Sequence, residues 1–420
     1  MVFMFALPVS AAESSRKYTL AQSIQEAMAN NPVIKVKQEA ILAARYSIKQ
    51  AYTNLLPTLS TSYEYTHESE KDYLWGFPMS TKENYQWWAT IEQHVFKGFA
   101  LTNTVKFAGV GLELAQTELE IEKLNLALNV KQAYFIILKT DRNLNVATQT
   151  VESIGAHVTV AHSFFEVGKI PAHDLLEAEV RYANAQEKLI HAQNAVHLAR
   201  ATFNMLLARP LETPFIIADI LMYEPLSDTN KTYLKQALNN RLELKAIDLS
   251  LKRAALEEKI AQSAYYPNIS LRYDYIKEGD DPDVAGSDYH KEDYWEASAS
   301  LTWFFWEWGK THYIVKQKQS RKKQLQHTRA MVTDQISLEV KEVFLALKRG
   351  EKKIPTTRKA VKLAEENLRI KQERYRMQLT TSTEVLDAQT LLSEAQNHYH
   401  NALYDHNLAK AKLSRALSDY

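Results

Sequence analysis

Residues 57–65 read Pro-Thr-Leu-Ser-Thr-Ser-Tyr-Glu-Tyr, and residues 267–275 read Pro-Asn-Ile-Ser-Leu-Arg-Tyr-Asp-Tyr. The two stretches share the pattern Pro-x-x-Ser-x-x-Tyr-x-Tyr and lie 210 positions apart. The same offset relates residues far outside them, including Asn30 and Asn240, Gly76 and Gly286, Val130 and Val340, and Leu207 and Leu417. Two unrelated helical halves would not keep one constant offset with proline and glycine at matching positions. The sequence therefore indicates a tandem duplication.

Each copy has the same predicted order of elements. The hydrophobic period changes from 3.6 before the shared proline to 2 after it, which predicts a helix followed by a strand. The first copy, 13–212, is predicted to contain a helix, strands at 57–67 and 84–96, a long helix at 100–167 and a helix at 171–208. After a linker at 213–231, the second copy, 232–420, repeats this order with strands at 267–277 and 293–306 and helices at 310–376 and 381–418.

The helices are expected to be unusually long because Gly and Pro are scarce, at 10 and 11 residues in 420. A helix over 101–166 would be about 100 Å long at 1.5 Å per residue. Its copy contains Gly350 and Pro355, which predict an interruption or kink midway. Helices of this length and composition favour lateral coiled-coil packing.

Composition excludes several classes of protein. The 51 basic and 50 acidic residues nearly cancel, which removes a general electrostatic attraction to nucleic acid. A mean hydropathy of -0.37 argues against a bundle of membrane-spanning helices. The absence of cysteine excludes disulfides and thiolate sites. Residues 1–12 form an apolar run ending in small residues, which predicts a signal peptide remnant and an extracytoplasmic location.

The four predicted strands fit the alternating pattern of an outer membrane barrel. Aromatic residues at their ends fit a membrane-interface girdle: Tyr63, Tyr65, Tyr85, Trp87, Tyr273, Tyr275, Trp295 and Trp303. An ordinary amphipathic sheet packed on a helix fits the strand pattern equally well. The long flanking helices leave no short element to cover an apolar face, which favours the barrel. Since about eight strands are needed to close one, several chains must contribute.

No sequence motif indicates an enzyme. The nucleophile elbow, the phosphate-binding glycine loop and the Rossmann fingerprint are all absent. His398 and His400 project about 200° apart on a helix, and His157 and His162 do not share a face, so no metal site is expected. The 13 histidines are interpreted as surface residues of helices. We therefore expect neither a cofactor nor a metal.

The chain resembles the TolC-type outer membrane efflux proteins over nearly its whole length. The resemblance is carried by the two helix–Pro–strand junctions at 55–59 and 265–269, the turn Phe96-Lys97-Gly98, and helix-tip segments at 167–178 and 379–389. It implies a mainly α fold with a membrane β-barrel: a homotrimer with a twelve-strand barrel in the outer membrane of a Gram-negative bacterium and a twelve-helix periplasmic tunnel. It also implies docking onto a periplasmic adaptor protein and an inner-membrane pump of the RND, ABC or MFS type, in tripartite efflux or type I secretion.

The resemblance also implies site residues at the helix tips. Glu384 and Asp387 fall on the acidic ring that closes the family's tunnel, and Asp174 and Tyr375 fall on positions that bond neighbouring tips. Acidic residues in a first helical turn are also ordinary dipole partners, so that alternative stays open. Thr380 stands where the family commonly has a basic residue, which puts a ring-locking salt bridge in doubt. Adaptor docking is predicted at Val167, Gly168, Lys169, Ile170, Pro171, Leu379, Thr380, Thr381 and Ser382.

The sequence thus predicts a passive export duct that opens at its periplasmic helix tips. The alternative is a soluble periplasmic coiled-coil scaffold or tether without a pore. A self-sufficient diffusion porin is disfavoured because helical residues greatly outnumber strand residues.

Overall fold

The computed structural model describes residues 17–70, 72–79, 81–225, 229–288 and 291–419. The predicted signal peptide remnant at 1–12 lies outside these residues. The helices are α1 Leu20–Asn30, α2 Pro32–Thr53, α3 Ala100–Glu166, α4 Ala172–Leu206, α5 Asn230–Asn240, α6 Leu242–Gln262, α7 Lys310–Arg376 and α8 Ser382–Ala416. The strands are β1 Lys17–Tyr18, β2 Thr58–His67, β3 Tyr73–Leu74, β4 Phe77–Pro78, β5 Glu83–Lys97, β6 Ile216–Ile217, β7 Asn268–Gly279 and β8 Asp293–Thr302.

The chain divides into two compact units. Among the described residues, the helix-tip unit lies within 17–37, 119–244 and 332–419, and the strand unit lies within 38–118 and 245–331. The long helices α3 and α7 contribute residues to both units. No helix among the described residues is both long enough and apolar enough to cross a membrane.

The strand unit is built on one antiparallel sheet in the order β2-β5-β7-β8. The central pair, β5 and β7, joins the two sequence copies, with Ile91 opposite Tyr273. Within the described residues, β2 and β8 each pair on one side only. The sheet therefore has two open edges whose backbone N–H and C=O groups can pair with another chain.

Strand β8 ends at Thr302, four residues before its predicted end at 306. Thr302 pairs with Asn268, and the residue before Asn268 is Pro267, which has no N–H to continue the ladder. The indole nitrogen of Trp303 instead donates to the carbonyl oxygen of Tyr265 at 3.1 Å. Trp303 and Phe305 thus follow the strand, so their predicted inclusion in the strand at 293–306 is wrong.

Helix α7 is continuous from Lys310 to Arg376, so of the predicted interruption or kink at Gly350 and Pro355 the interruption is wrong. Tertiary packing explains the continuity. Ile354 is buried in a cluster with Ala402 and Leu403 of α8. Gly350 lies so close to α8 that a Cβ added to it would be 2.8 Å from Nδ1 of His406. The free energy gained by burial against α8 offsets the cost of the backbone hydrogen bond that Pro355 cannot make.

Within the helix-tip unit, the two copies make matched contacts at the starts of α2 and α6. Helix α2 begins at Pro32 after Asn31, whose side-chain amide donates to the carbonyl oxygen of Leu206 at 2.8 Å. Its counterpart Arg241 donates to the carbonyl oxygen of Arg415 at 3.4 Å and also pairs with Glu339. The two copies therefore tie the start of a helix to the end of another helix through different side chains at the same place.

Candidate functional site at the helix tips

The two helix tips share one backbone motif. In the first, Gly168 N donates to Phe165 O at 2.9 Å and Lys169 N donates to Phe164 O at 2.8 Å. In the second, Gln378 N donates to Tyr375 O at 2.9 Å and Leu379 N donates to Arg374 O at 2.8 Å. Gly168 has φ +70° and Gln378 has φ +60°. Both tips are Schellman motifs, and the residues that close them are 210 positions apart.

The predicted docking residues are mostly on the surface. Val167 and Leu379 are 66% and 61% exposed, so each tip presents an aliphatic side chain to solvent. Gly168, Lys169, Pro171 and Thr381 are also exposed, and Ile170 and Thr380 are half-buried. Ser382 differs: it is buried, with 1% exposed, and its hydroxyl points into the tip rather than to a partner.

The predicted gate carboxylate Glu384 lies in the first turn of α8, where its backbone N–H donates to Thr381 Oγ1 at 3.4 Å. Its carboxylate accepts hydrogen bonds from Lys371 Nζ and Thr380 Oγ1. These two bonds, that of Lys371 first, lower the pKa of Glu384 below its ordinary value. Thr380 thus bonds the acidic side chain four residues ahead of it within its own chain.

The other two predicted gate acids also have side-chain partners. Asp387 lies 3.3 Å from Arg181 Nη2 of α4, and the same guanidinium lies 3.7 Å from Glu177. Asp174, in the first turn of α4, lies 3.1 Å from Nε2 of His173. Asp174 and Glu384 occupy the same position in the two copies, so both tips place a carboxylate at the positive end of a helix dipole.

Tyr375 is buried rather than displayed at the tip. Only 4% of it is exposed, and its ring centroid lies 4.7 Å from that of His157 and 5.6 Å from that of Phe164. Among the described residues its hydroxyl has no hydrogen-bond partner. Burial raises the pKa of Tyr375. In this conformation Tyr375 helps to hold the tip's interior together.

A ladder of polar contacts joins α3 to α8, and sequence reasoning missed it. Its contacts run from His157 Nε2 to Ser382 Oγ at 2.7 Å, Ser153 Oγ to Gln389 Oε1 at 2.6 Å, and Thr150 Oγ1 to Ser393 Oγ at 2.7 Å. Residues 150, 153 and 157 follow the i, i+3, i+7 spacing of one helix face. Polar side chains at this spacing, within an otherwise apolar stripe of α3, are the sequence feature that could have predicted the ladder.

The interpretation of the histidines as surface residues is wrong for two of them. His157 is 9% exposed and His406 is 1% exposed. Burial lowers the pKa of His157 to about 4, so its imidazole is neutral at neutral pH. His406 Nε2 lies 2.9 Å from the carbonyl oxygen of Glu224. Both rings pack between helices, which a single-helix projection cannot reveal. Within the described residues, no three His, Asp or Glu side chains converge as metal ligands.

The predicted interface aromatics lie in the strand unit. All except Trp303 are within strands, and several contact one another across the sheet. Tyr65 and Tyr85 have ring centroids 4.8 Å apart, and Tyr273 stacks on Trp295 at 6.0 Å. These cross-strand pairs fix the sheet register on the face that carries them.

Comparison with known proteins gives a consistent result. The sequence profile described as outer membrane efflux protein matches residues 23–209 and 233–418. The outer membrane protein TolC of Escherichia coli (strain K12) is 24% identical over 421 residues, covering 96% of this chain and 83% of that protein. The CmeC outer membrane channel of Campylobacter jejuni superposes with a TM-score of 0.84 at 16% identity, covering 95% of this chain and 85% of that one. The outer membrane protein VceC of Vibrio cholerae superposes with a TM-score of 0.80 at 18% identity, covering 95% and 96%.

Proposed function

The chain belongs to the outer membrane efflux protein family, and we propose that three copies of it form a passive export duct through the outer membrane. The trimer is supported by the four-stranded sheet, whose edge strands β2 and β8 are open. Edge strands with free backbone groups offer a template on which a strand of another chain can pair. Pairing β8 of one copy with β2 of the next, three times, gives a closed ring of twelve strands.

The long helices would continue this ring as a twelve-helix tunnel on the periplasmic side. Each copy contributes two helix pairs that end in the matched tips around Gly168 and Gln378. The tips would then meet around one axis. Carboxylates placed there at close quarters control which ions pass, and movement of the tips controls the opening.

We assign the gate to Glu384, Asp387, Asp174 and Tyr375. In the closed state the bonds from Lys371 to Glu384 and from Arg181 to Asp387 stabilise the tips within each copy. Opening separates the tips, and the equilibrium shifts when a partner binds the open form better. The energy for export comes from a separate inner-membrane pump.

The partner surface is assigned to the exposed residues of the two tips, 167–171 and 379–381, which leaves out the buried Ser382. Val167 and Leu379 are exposed aliphatic anchors of the kind that a helical adaptor protein can cover. A periplasmic adaptor bound there would link the duct to an RND, ABC or MFS pump. A soluble scaffold without a pore is not favoured, because the family match covers both copies.

Single-channel recording in planar bilayers tests the gate. The double variant Glu384→Ala plus Asp387→Ala should raise conductance and weaken cation preference, because it removes both carboxylates and the intrachain bonds they accept. Glu394→Ala removes an exposed carboxylate of the same helix three turns from the tip and serves as the control. A double variant that conducts like the unmodified protein contradicts the assigned gate.

A further inference from the structure

Within the strand unit, the first sequence copy meets the second through β5 and β7 and through α3 and α6. The guanidinium of Arg253 on α6 reaches α3, where its Cζ lies 4.4 Å from the ring centroid of Phe107. Gly111 of α3 lies against the same side chain, since a Cβ added to it would be 3.9 Å from Nε of Arg253. The side of α6 that carries Arg253 therefore faces the side of α3 that carries Gly111.

The duplication predicts how one copy of the chain meets the next. Helices α3 and α7 begin 210 positions apart, and so do α2 and α6. The proposed ring places β8 and α7 of one copy beside β2 and α2 of the next copy. These elements are the duplicates of β5 and α3 and of β7 and α6, in that order. The junction inside the chain is therefore a template for the junction between chains.

The template shows which residues of the two helices stand level at the junction between chains. Inside the chain, Gly98 lies directly against Ser263, because a Cβ added to Gly98 would clash with the carbonyl oxygen of Ser263. The duplicate positions are Trp308 of one copy and Thr53 of the next copy. We therefore expect Trp308 to stand level with Thr53 where α7 and α2 meet the strands.

From that point both helices lead away from the strands at the same rise of about 1.5 Å per residue. Thirteen residues from Trp308 stands Arg321, and thirteen residues from Thr53 stands Ala40. Arg321 of one copy is thus level with Ala40 of the next copy and with its neighbour Glu39. Helices packed side by side have axes about 8–10 Å apart, a gap that long side chains such as those of Arg and Glu can span.

Both charged residues are also on the faces that meet. Arg321 is the duplicate of Gly111, which faces α6. Glu39 is the duplicate of Leu249, which is buried and lies one turn before Arg253 on the same side of α6. Since that side of α6 faces α3, the template turns Glu39 toward α7 of the neighbouring copy.

Neither charge is satisfied inside the chain. Arg321 and Glu39 are exposed, and within the ranges that the structure describes neither side chain has an ion pair or a hydrogen bond. Their duplicates, glycine at 111 and leucine at 249, carry no charge. Enclosing one ionised side chain between helices is costly, whereas a carboxylate and a guanidinium enclosed together satisfy each other.

We propose that Arg321 of one copy forms an ion pair with Glu39 of the next copy at each of the three junctions between chains. The inference rests on the proposed trimer. The pair also makes this junction different from the one inside the chain, because Ala43 stands at the position that duplicates Arg253. Helix α7 thereby recognises α2 of another copy by charge as well as by shape.

Charge reversal tests the pair. Arg321→Glu and Glu39→Arg each place like charges at the junction, so each should lower by several degrees the temperature at which the trimer dissociates. The double variant restores opposite charges and should recover most of that loss. Electrophoresis of unboiled samples after heating to graded temperatures measures dissociation. Lys323→Glu is the matched control, because Lys323 is exposed and projects about 200° away from Arg321 around α7. It should leave the dissociation temperature unchanged.

Two results would overturn the ion pair. One is a double variant that dissociates as readily as the single variants or fails to assemble. The other is single variants that dissociate at the same temperature as Lys323→Glu. The duct itself has a separate readout in the unmodified protein. If that protein is not recovered from membranes as a trimer, the proposed function fails; if it is, only the ion pair is at stake.

Discussion

Gln378 holds a left-handed backbone position that the first copy fills with Gly168. A residue with a Cβ loses about 1–2 kcal/mol in that conformation, whereas glycine adopts it freely. We predict that Gln378→Gly raises the free energy of unfolding by about 1 kcal/mol. Thermal unfolding of the purified protein measures the change.

The first tip supplies the reciprocal control. A Cβ at Gly168 would meet nothing within 4 Å, so Gly168→Ala changes backbone strain alone. It should lower the free energy of unfolding by about 1 kcal/mol. Two substitutions that shift stability in the same direction would show that the tips do not share the motif.

His157 makes the helix tips sensitive to pH. Its pKa is about 4 in the folded chain, against about 6.5 in an unfolded one. Between these two pH values the unfolded state binds more protons than the folded state. The contribution of neutral His157 to tip stability is therefore fully present above pH 6.5 and is lost as the pH falls toward 4. The full effect is of the order of 3 kcal/mol.

Hydrogen exchange of the tip peptides at pH 7 and pH 5 measures this loss. His157→Gln can still bond Ser382 but does not titrate, so its tips should lose much less protection at pH 5 than those of the unmodified protein. Comparing the two proteins at the same pH cancels the intrinsic pH dependence of exchange. Equal losses in both would assign the pH effect to other groups.

At the scale of elements, α7 shows how packing overrides a helix-breaking sequence. Gly350→Ala ordinarily stabilises a helix interior by about 1 kcal/mol. Here the added methyl would meet the imidazole of His406, so we predict a net loss of stability of about 1–2 kcal/mol. A double-mutant cycle with His406→Ala should show strong coupling, because removing the ring removes the clash. Additive effects would contradict the close approach.

Sequence reasoning predicted the elements whose signal is local. Hydrophobic periodicity and the positions of glycine and proline predict the duplication, the strands after Pro57 and Pro267, and the long helices. The end of β8 depends on which residue lies opposite Trp303, and the continuity of α7 depends on contacts with His406 and Ala402. Those partners lie far away in sequence, so no local pattern reports them.

The candidate site also combines residues that local motifs predict with partners that lie far away in the sequence. Its carboxylates were located through family motifs, but their cationic partners Lys371 and Arg181 lie on other helices. The ladder from His157 to Ser382 likewise joins residues 225 positions apart. A sequence shows that such residues exist and not that they meet.

At the scale of the whole molecule, the paired carboxylates bear on ion selectivity. Lys371 and Arg181 neutralise part of the negative charge that Glu384 and Asp387 bring to the tips. We predict that Lys371→Ala plus Arg181→Ala increases the preference of the open channel for cations, measured as a shift in reversal potential across a salt gradient. Lys352→Ala, in the same helix and away from the tip, should leave the reversal potential unchanged.

We propose above that three copies of this chain form an outer membrane duct. The most direct test is extraction of the outer membrane fraction in detergent, followed by mass analysis of the unboiled complex. We expect a membrane-bound species of about three chains, each of 48.2 kDa before removal of any signal peptide. A soluble monomer or dimer released without detergent would contradict it.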